Sequence, residues 1–428
     1  VGPGFERPVV VTHSDFRFIV TEQLADVGID PGAILLEPAP RNTAPAILAA
    51  ALYLQKQDQD AILLIAPSDH VIPDGPAFQE AVLRGVDALG DGRIVTFGIA
   101  PDRPETGYGY LEVAQPTDGT GKPVPLTRFV EKPNLTEAQA LLDAGTCLWN
   151  AGIFLARATD LIVAFQHYAP AQIEPVEQAL VNARPDLGFL RLAAADWARA
   201  EDISVDYAVM EKAQDLVVVP YHHGWSDLGD WRAVWRADAP DIHGVVEKGD
   251  ALAIDCEDTL LRSEAPGVQV VGLGLTGITA VATRDAVLIA DTTRSQDVGQ
   301  AVAALKDLEK PQATGFPRDH RPWGWFDRLV AGPGFQVKRI TVHPGAALSL
   351  QSHQYRAEHW VVVRGQARVT IGDDTRILTE NQSAYVPKNT RHRLENVGDQ
   401  DMVLIEVQTG DYLGEDDITR HEYRYARD

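Results

Sequence analysis

The sequence predicts an α/β protein in three parts. A Rossmann-like domain with a mostly parallel sheet spans residues 1–245. A short strand stack with partial β-helix texture, closed by a helix, spans 246–310. A linker at 311–322 leads into a C-terminal β-barrel over 323–428. Three observations carry this reading. The first half alternates short apolar runs with helical stretches, the pattern of a parallel sheet covered by helices on both faces. Between residues 249 and 289, Val/Leu/Ile runs recur with Gly and Asp between them, and long helices vanish. From Trp323 onward the apolar runs are β-branched or aromatic and separated by turns, which is barrel texture. A length of 428 residues suits two to three domains, and an apolar fraction of 45% is ordinary for globular cores.

The elements follow in order. PVVVT at 8–12 reads as a strand, and 16–27 has helical spacing. AILLE at 33–37 is a second strand. An Ala/Leu-rich helix follows over 43–57, with Thr43 standing where a cap would. AILLIA at 61–66 is a buried strand ending in Pro67-Ser68-Asp69-His70. Ligands of such sheets bind beyond the carboxyl ends of strands, which places Asp69 at a binding edge. TGYGY at 106–110 is a loop that lets a ligand approach the backbone. FVEKP at 129–133 ends a strand with an acid and a base side by side. WNAGIF follows at 149–154, and GWSDLGDW at 224–231 sets an acid in a tight turn. Taken singly, each motif is weak, and FVEKP alone reads better as an ordinary strand end before a proline turn. Residues 295–308 form a helix with Ser295 as its N-cap, and the Pro-rich 311–322 is the linker. Strands of the barrel lie at 337–342, 360–363, 367–371 and 403–407.

The barrel carries the strongest chemical signal. Gln351 and His353 are two apart on a strand and face the same side. Glu358 follows, then His392, with Gly345, Gly365, Pro387 and Asn396 at turn positions. A lone interior His is usually a hydrogen-bonded core residue. Burying an amide, two imidazoles and a carboxylate without a common partner costs on the order of several kcal/mol, and a cation removes that cost. The mixed nitrogen and oxygen set suits Zn²⁺, with Mn²⁺, Co²⁺ or Fe²⁺ as alternatives.

The formal charge of -23 argues against a nucleic-acid polymer as partner, but not against small phosphates held by a few local cations. Two cysteines, Cys147 and Cys256, cannot make a disulfide framework and point to a reducing compartment. With no apolar run of membrane-spanning length and no signal peptide in view, the expectation is a cytoplasmic protein. The first residue is Val1 rather than Met, which points to a trimmed or partial N-terminus.

PSDH, TGYGY, FVEKP, WNAGIF and WSDLGDW occur in the order seen in sugar-1-phosphate nucleotidylyltransferases. With EPAPRNTAPAI at 37–47 and SVDYAVMEK at 204–212, the chain resembles mannose-1-phosphate guanylyltransferases in particular. QSHQYRAEHW, IEVQTG and YLGEDDITR resemble the cupin module of type II phosphomannose isomerases. From about Pro8 to the end, the chain is similar to the bifunctional isomerase/guanylyltransferase family.

This resemblance implies guanylyl transfer from GTP to mannose 1-phosphate, interconversion of mannose 6-phosphate and fructose 6-phosphate, and a role in making GDP-mannose for polysaccharides. It implies Mg²⁺ held by Asp69 and Asp227, and sugar contacts from Thr106, Gly107, Glu131 and Asn150. It places Lys132 near the sugar phosphate and Arg41, Asn42 and Thr43 near the nucleotide. In the barrel it implies a metal on Gln351, His353, Glu358 and His392, with Arg420 and Lys338 in catalysis. Arg420, Lys338 or Arg356 would grip the phosphate, and His359, Asp417 and Glu406 are candidates for the base.

Two departures stand out. The family often has His-His where this chain has Gln354-Tyr355, and no G-G-x-G-x-R-L-x-P loop is found before Pro8. If the sequence is the whole molecule, the second departure implies a lost transferase activity and a missing first strand. The rival expectations are therefore an isomerase alone, or a non-catalytic sugar-nucleotide-binding protein. Oligomeric state is left open, a homo-oligomer included.

Overall fold

Apolar runs of the first half do become strands, but they split between two sheets in the computed structural model, which describes residues 4–90 and 92–422. In the first sheet, β1 (Val9–His13) lies parallel to β2 (Ala33–Glu37). The second sheet runs from β3 (Ile62–Ile65) and β4 (Ile94–Ile99) to β5 (Tyr110–Val113), β6 (Val124–Val130) and β7 (Cys147–Arg157). The first sheet is completed by the short β8 (Arg184–Asp186) and β9 (Phe189–Arg191), in the order β1-β2-β9-β8. With β10 (Leu216–Tyr221), the second has the order β3-β7-β4-β10-β6-β5.

The expected mostly parallel sheet is therefore corrected. Within the six-stranded sheet only β4 and β10 pair in parallel, because the long β7 inserts antiparallel between β3 and β4 and β10 lies antiparallel to β6. Alternation of strand and helix along a chain reports the elements, not the order in which a later strand inserts. Among the described residues, no strand pairs with the outer edge of β1 or of β3.

Helix α1 (Arg17–Asp26) follows a single 3₁₀ turn at Ser14–Phe16. Helix α2 (Thr43–Gln55) buries Ala44, Leu48, Ala49, Ala51 and Leu52, a small-residue face that allows close packing in the main core. Its cap is Asn42, not Thr43: the Asn42 Oδ1 accepts the Thr43 amide at 3.0 Å. The Thr43 hydroxyl instead accepts the Val205 amide at 2.9 Å and ties the helix start to the 204–212 segment.

The strand stack is a set of parallel coils. β11 (Val246–Lys248), β13 (Leu260–Ser263) and β15 (Ile278–Ala282) pair in parallel on one side. Strands β12 (Ala251–Ile254) and β14 (Val270–Leu273) do so on the other. Gly272 lets Leu261 pack close between coils: a Cβ there would lie 2.8 Å from Leu261 Cδ1. β16 (Val287–Asp291) closes the stack antiparallel to β15. The helix that follows is Val298–Asp307, preceded by a 3₁₀ segment at Thr292–Asp297. Ser295 is not its cap: it is buried, and its hydroxyl donates back to the Thr292 carbonyl.

The Pro-rich stretch is only partly connector. Its second half is β17 (Arg318–Arg321), a hairpin partner of β18 (Gly324–Gly332), with Pro322 and Trp323 as the turn. Next come β19 (Phe335–Val342), β20 (Leu350–His353), β21 (Arg356–Arg364), β22 (Ala367–Ile371) and β23 (Asp374–Leu378). The barrel ends with β24 (Ser383–Val386), β25 (His392–Asn396), β26 (Met402–Gly410) and β27 (Ile418–Glu422). Two antiparallel sheets, β17-β18-β19-β26-β21-β24 and β23-β22-β25-β20-β27, enclose a core of Trp323, Phe326, Trp360, Leu394 and Leu404. Among the described residues, no helix is long and apolar enough to cross a membrane.

Candidate functional sites

Inside the barrel the strand parity places the polar set together. Gln351 stands opposite His392 in β25 and opposite Arg420 in β27. The His353 Nε2 lies 3.0 Å from Glu358 Oε1, and His392 Nε2 lies 3.7 Å from Glu358 Oε2. The Gln351 amide is 3.5 Å from Nε2 of each histidine. His353, Glu358 and His392 are all buried, and their ligand atoms lie within 4.8 Å of one another.

This donor set fits a divalent cation. His392 Nδ1 meets the Thr390 carbonyl at 2.8 Å, which as a donor contact leaves the Nε2 lone pair aimed inward. Burial pushes the Glu358 carboxyl upward, but the His353 hydrogen bond and the charges of His353, His392 and Arg356 hold it well below the usual carboxylate range. Burial also lowers His392, favouring the neutral imidazole that ligates a metal.

Around the set lies a cavity of about 330 Å³ whose lining includes Gln351, Glu358, Lys338, Arg356, Glu406 and Arg420. Lys338 is 4% exposed; its Nζ bonds Glu415 and sits 4.5 Å over the Phe326 ring. Arg356, 2% exposed, bridges Glu358 and the Gly414 carbonyl. Of the three base candidates, only Glu406 lines the cavity. His359 is exposed on the opposite face of β21 and stacks against Tyr385 at 4.7 Å. Asp417 accepts the Gln354 and Tyr355 amides, a structural task. Glu406 accepts from Trp360 Nε1 and Gln408 Nε2, and burial followed by the Glu358 charge pushes it up to about 8. Gln408 went unread in the sequence, although it lies two residues from Glu406 on the same strand face and so shares its interior.

In the first domain, the two acids come from distant loops joined by a backbone bridge. Val71 and Ser226 exchange amide hydrogen bonds at 2.8 and 3.0 Å, which brings Asp69 and Asp227 into one neighbourhood. His70 stands between them in sequence and field: its ring packs edge-on against Trp225, burial lowers it, and Asp69 and Asp227 oppose that lowering. Asp69 is exposed, and Asp227 accepts the Tyr108 hydroxyl.

A second cluster lies along the same sheet. Asn150 donates to Asp206 at 3.1 Å and accepts from Thr96 and the Gly152 amide. Glu131 pairs with Lys132 at 3.4 Å, and Lys132 adopts a left-handed φ of 46° that turns the chain at the strand end. Burial, then the Asp206 charge, pushes Glu131 up to about 7. A Cβ on Gly109 would meet Glu131 Oε2 at 2.6 Å, so this glycine permits the approach of loop and acid. Gly107 donates to Glu105, and Thr106 sits in the same loop.

Arg41 is farther along, anchored to the Ala198 carbonyl at 2.9 Å beside the Asn42–Thr43 helix start. Asp206 has no assigned role in the sequence reading, although it is the first of the two acids of the SVDYAVMEK motif. It lies in a π-helical turn at Asp206–Met210, a distortion common at functional sites.

The nucleotidyl transferase family model matches residues 1–243, and the model for the mannose-6-phosphate isomerase C-terminal region matches 309–423. The Xanthan biosynthesis protein XanB of Xanthomonas campestris pv. campestris strain B100 is 45% identical over 98% of this chain and 88% of its own length. The mannose-1-phosphate guanylyltransferase of Escherichia coli K12 is 43% identical over 100% of this chain and 90% of its own. The chain belongs to the mannose-1-phosphate guanylyltransferase family with a mannose-6-phosphate isomerase C-terminal domain. A crystal structure titled mannose-1-phosphate geranyltransferase, from Thermus thermophilus, matches at 31% identity and a TM-score of 0.59. The match covers 70% of this chain and 84% of that one. Membership of this family accounts for two separate polar centres on one chain.

Proposed function

We propose that this chain makes GDP-mannose through two sites: it transfers guanylyl from GTP to mannose 1-phosphate, and it interconverts mannose 6-phosphate and fructose 6-phosphate. The observation that carries the isomerase half is the buried His353–Glu358–His392 cluster at the floor of a cavity ringed by cations. The bridging of the Asp69 and Asp227 loops, and the clustering of Glu131 and Asn150 about Asp206, support the transferase half.

At the first site Asp69 and Asp227 would hold Mg²⁺, which supplies charge neutralisation at the α-phosphorus. The Tyr108 hydroxyl positions Asp227 by its hydrogen bond. Glu131, Asn150 and the Thr106–Gly107 loop bind the hexose, and Lys132 attracts its phosphate. Arg41, Asn42 and Thr43 face the nucleotide.

At the second site His353, Glu358, His392 and, after an amide flip, the Gln351 oxygen would hold Zn²⁺ or a similar divalent ion. When bound, it supplies Lewis-acid polarisation of the substrate carbonyl. Glu406 moves the proton between C2 and C1; a pKa near the working pH suits a group that must both take and return it. Lys338 and Arg356 keep the floor electrostatically balanced, and Arg420 meets the phosphate.

Purified protein should convert mannose 6-phosphate to fructose 6-phosphate with Zn²⁺, Co²⁺ or Mn²⁺, and should form GDP-mannose from GTP, mannose 1-phosphate and Mg²⁺. Failure of a folded, metal-loaded sample in either assay removes that half of the assignment and leaves the other standing.

A further inference from the structure

Helix α1 belongs by chain order to the transferase domain, yet its first turn faces the barrel. Arg17 and Phe18 line the isomerase cavity beside Arg321, Lys338, Glu415 and Arg420. Two contacts seat the helix there. Phe16 packs edge-on against Phe316 with ring centroids 5.9 Å apart, and Glu22 pairs with His320 of β17 at 2.7 Å. On its other side, Phe18 packs against Phe189 at 5.8 Å and joins the Ile34–Leu36 cluster of the first sheet. The helix is thus wedged between two domains, and its position relative to the cavity is fixed from both.

Arg17 is also held in place. Its guanidinium bonds the Ser14 carbonyl and lies 4.2 Å over the Phe18 ring. A long side chain restrained in this way loses little further rotamer freedom when it meets a ligand. Deeper in the cavity, Lys338 bonds Glu415 and Arg356 bonds Glu358, so the cations of the floor are held by acids of the protein. The Glu358 carboxylate at the floor disfavours a dianion there. A hexose 6-phosphate therefore enters with its C1–C2 end toward His353 and His392 and its phosphate at the rim.

We propose that Arg17, supplied by the transferase domain, is a phosphate-binding residue of the isomerase site and grips the substrate's phosphate together with Arg420. The proposal rests on the isomerase reading above. Guanidinium groups match phosphate geometry in a bidentate manner, so Lys is an imperfect replacement.

The test uses the full chain, metal-loaded, with Arg17→Gln and Arg17→Lys. In R17Q, KM for mannose 6-phosphate should rise about tenfold or more, as expected for a lost charged hydrogen bond. The kcat should stay within about threefold, since the group binds away from the reacting carbons. Competitive inhibition by inorganic phosphate should weaken in parallel, R17K should recover part of both, and guanylyl transfer should be unchanged. An R17Q enzyme with wild-type KM and wild-type phosphate inhibition overturns the proposal. So does a lowered thermal midpoint with reduced kcat, unchanged KM and no rescue by Lys, the signature of a structural role. If the wild-type protein shows no isomerase activity, the underlying reading has failed. Calorimetric titration with inorganic phosphate then decides the Arg17 question separately: weaker binding in R17Q supports it, and equal binding overturns it.

Discussion

The Tyr108 hydroxyl donates to Oδ1 of Asp227 at 2.8 Å, across 119 residues of chain. The bond links the Gly/Tyr loop to the WSDLGDW turn, two motifs that have no contact in the sequence. Tyr108 is held at the junction by edge contacts to Trp149 and Trp225. Burial, then the Asp227 charge, raises the phenol far above its ordinary value, so it remains a donor at any working pH.

Removing that donor tests the acid's role. Tyr108→Phe leaves the ring packing intact and frees Asp227 from a bond worth about 1.5–3 kcal/mol. The Mg²⁺ concentration for half-maximal guanylyl transfer should rise severalfold, with isomerase activity unchanged. Asp227→Asn should cost about 100-fold or more in the same assay, since it removes charge as well as orientation.

Gly109→Ala should act on Glu131 at a distance of one atom. The new methyl would fall 2.6 Å from Glu131 Oε2 and 3.2 Å from Asn150 Cβ. Overpacking of this kind costs about 1–3 kcal/mol and displaces the acid. The expected result is an increase of about tenfold in KM for mannose 1-phosphate and no effect on isomerisation, measured on the same preparation.

Glu131 also predicts a pH dependence. Its folded value of about 7 lies above the ordinary 4.5 because burial, then Asp206, disfavours the charged form. The stability tied to its proton is complete below about 4.5 and disappears as pH rises to about 7. Glu131→Gln should match wild type in thermal midpoint near pH 4.5 and exceed it above pH 7, by an amount on the order of 2 kcal/mol after solvent screening. An advantage confined to acid pH would contradict the sign.

His392→Ala should remove the metal and the isomerase together. Bound Zn²⁺, read by elemental analysis, should fall to background, and isomerase turnover should drop below about 1% of wild type. Chelation should lower the thermal midpoint of the barrel in wild type but not in the variant, because a ligand at about 100 times its Kd stabilises by about 2.7 kcal/mol. Guanylyl transfer in H392A should be retained.

Much of this was legible from local pattern. Strand parity alone put Gln351 beside His353, and β20 and β25 then supplied His392 directly opposite. The run AILLE became β2 without adjustment. What escaped reading depended on long-range order. The insertion of β7 between β3 and β4, which makes the sheet mixed, has no signature in its own residues. Asp206 and Gly109 matter because they converge on Glu131 and Asn150, a relationship among four segments far apart in the chain. Caps failed for a local reason: Asn42 and Thr43 are both good candidates, and the choice of Asn42 was settled by Thr43 reaching Val205 instead. Arg17 could not be found at all, since its surroundings come from the far end of the chain.

The seating of α1 against β17 gives the two halves of this polypeptide a common wall. A barrel excised from Arg318 onward would keep its metal-binding floor but expose one flank to bulk water. Splitting the gene at its apparent seam would therefore yield one fragment able to hold an ion and poor at retaining sugar phosphate. A lineage that shed the nucleotide half would need to rebuild that flank from new residues.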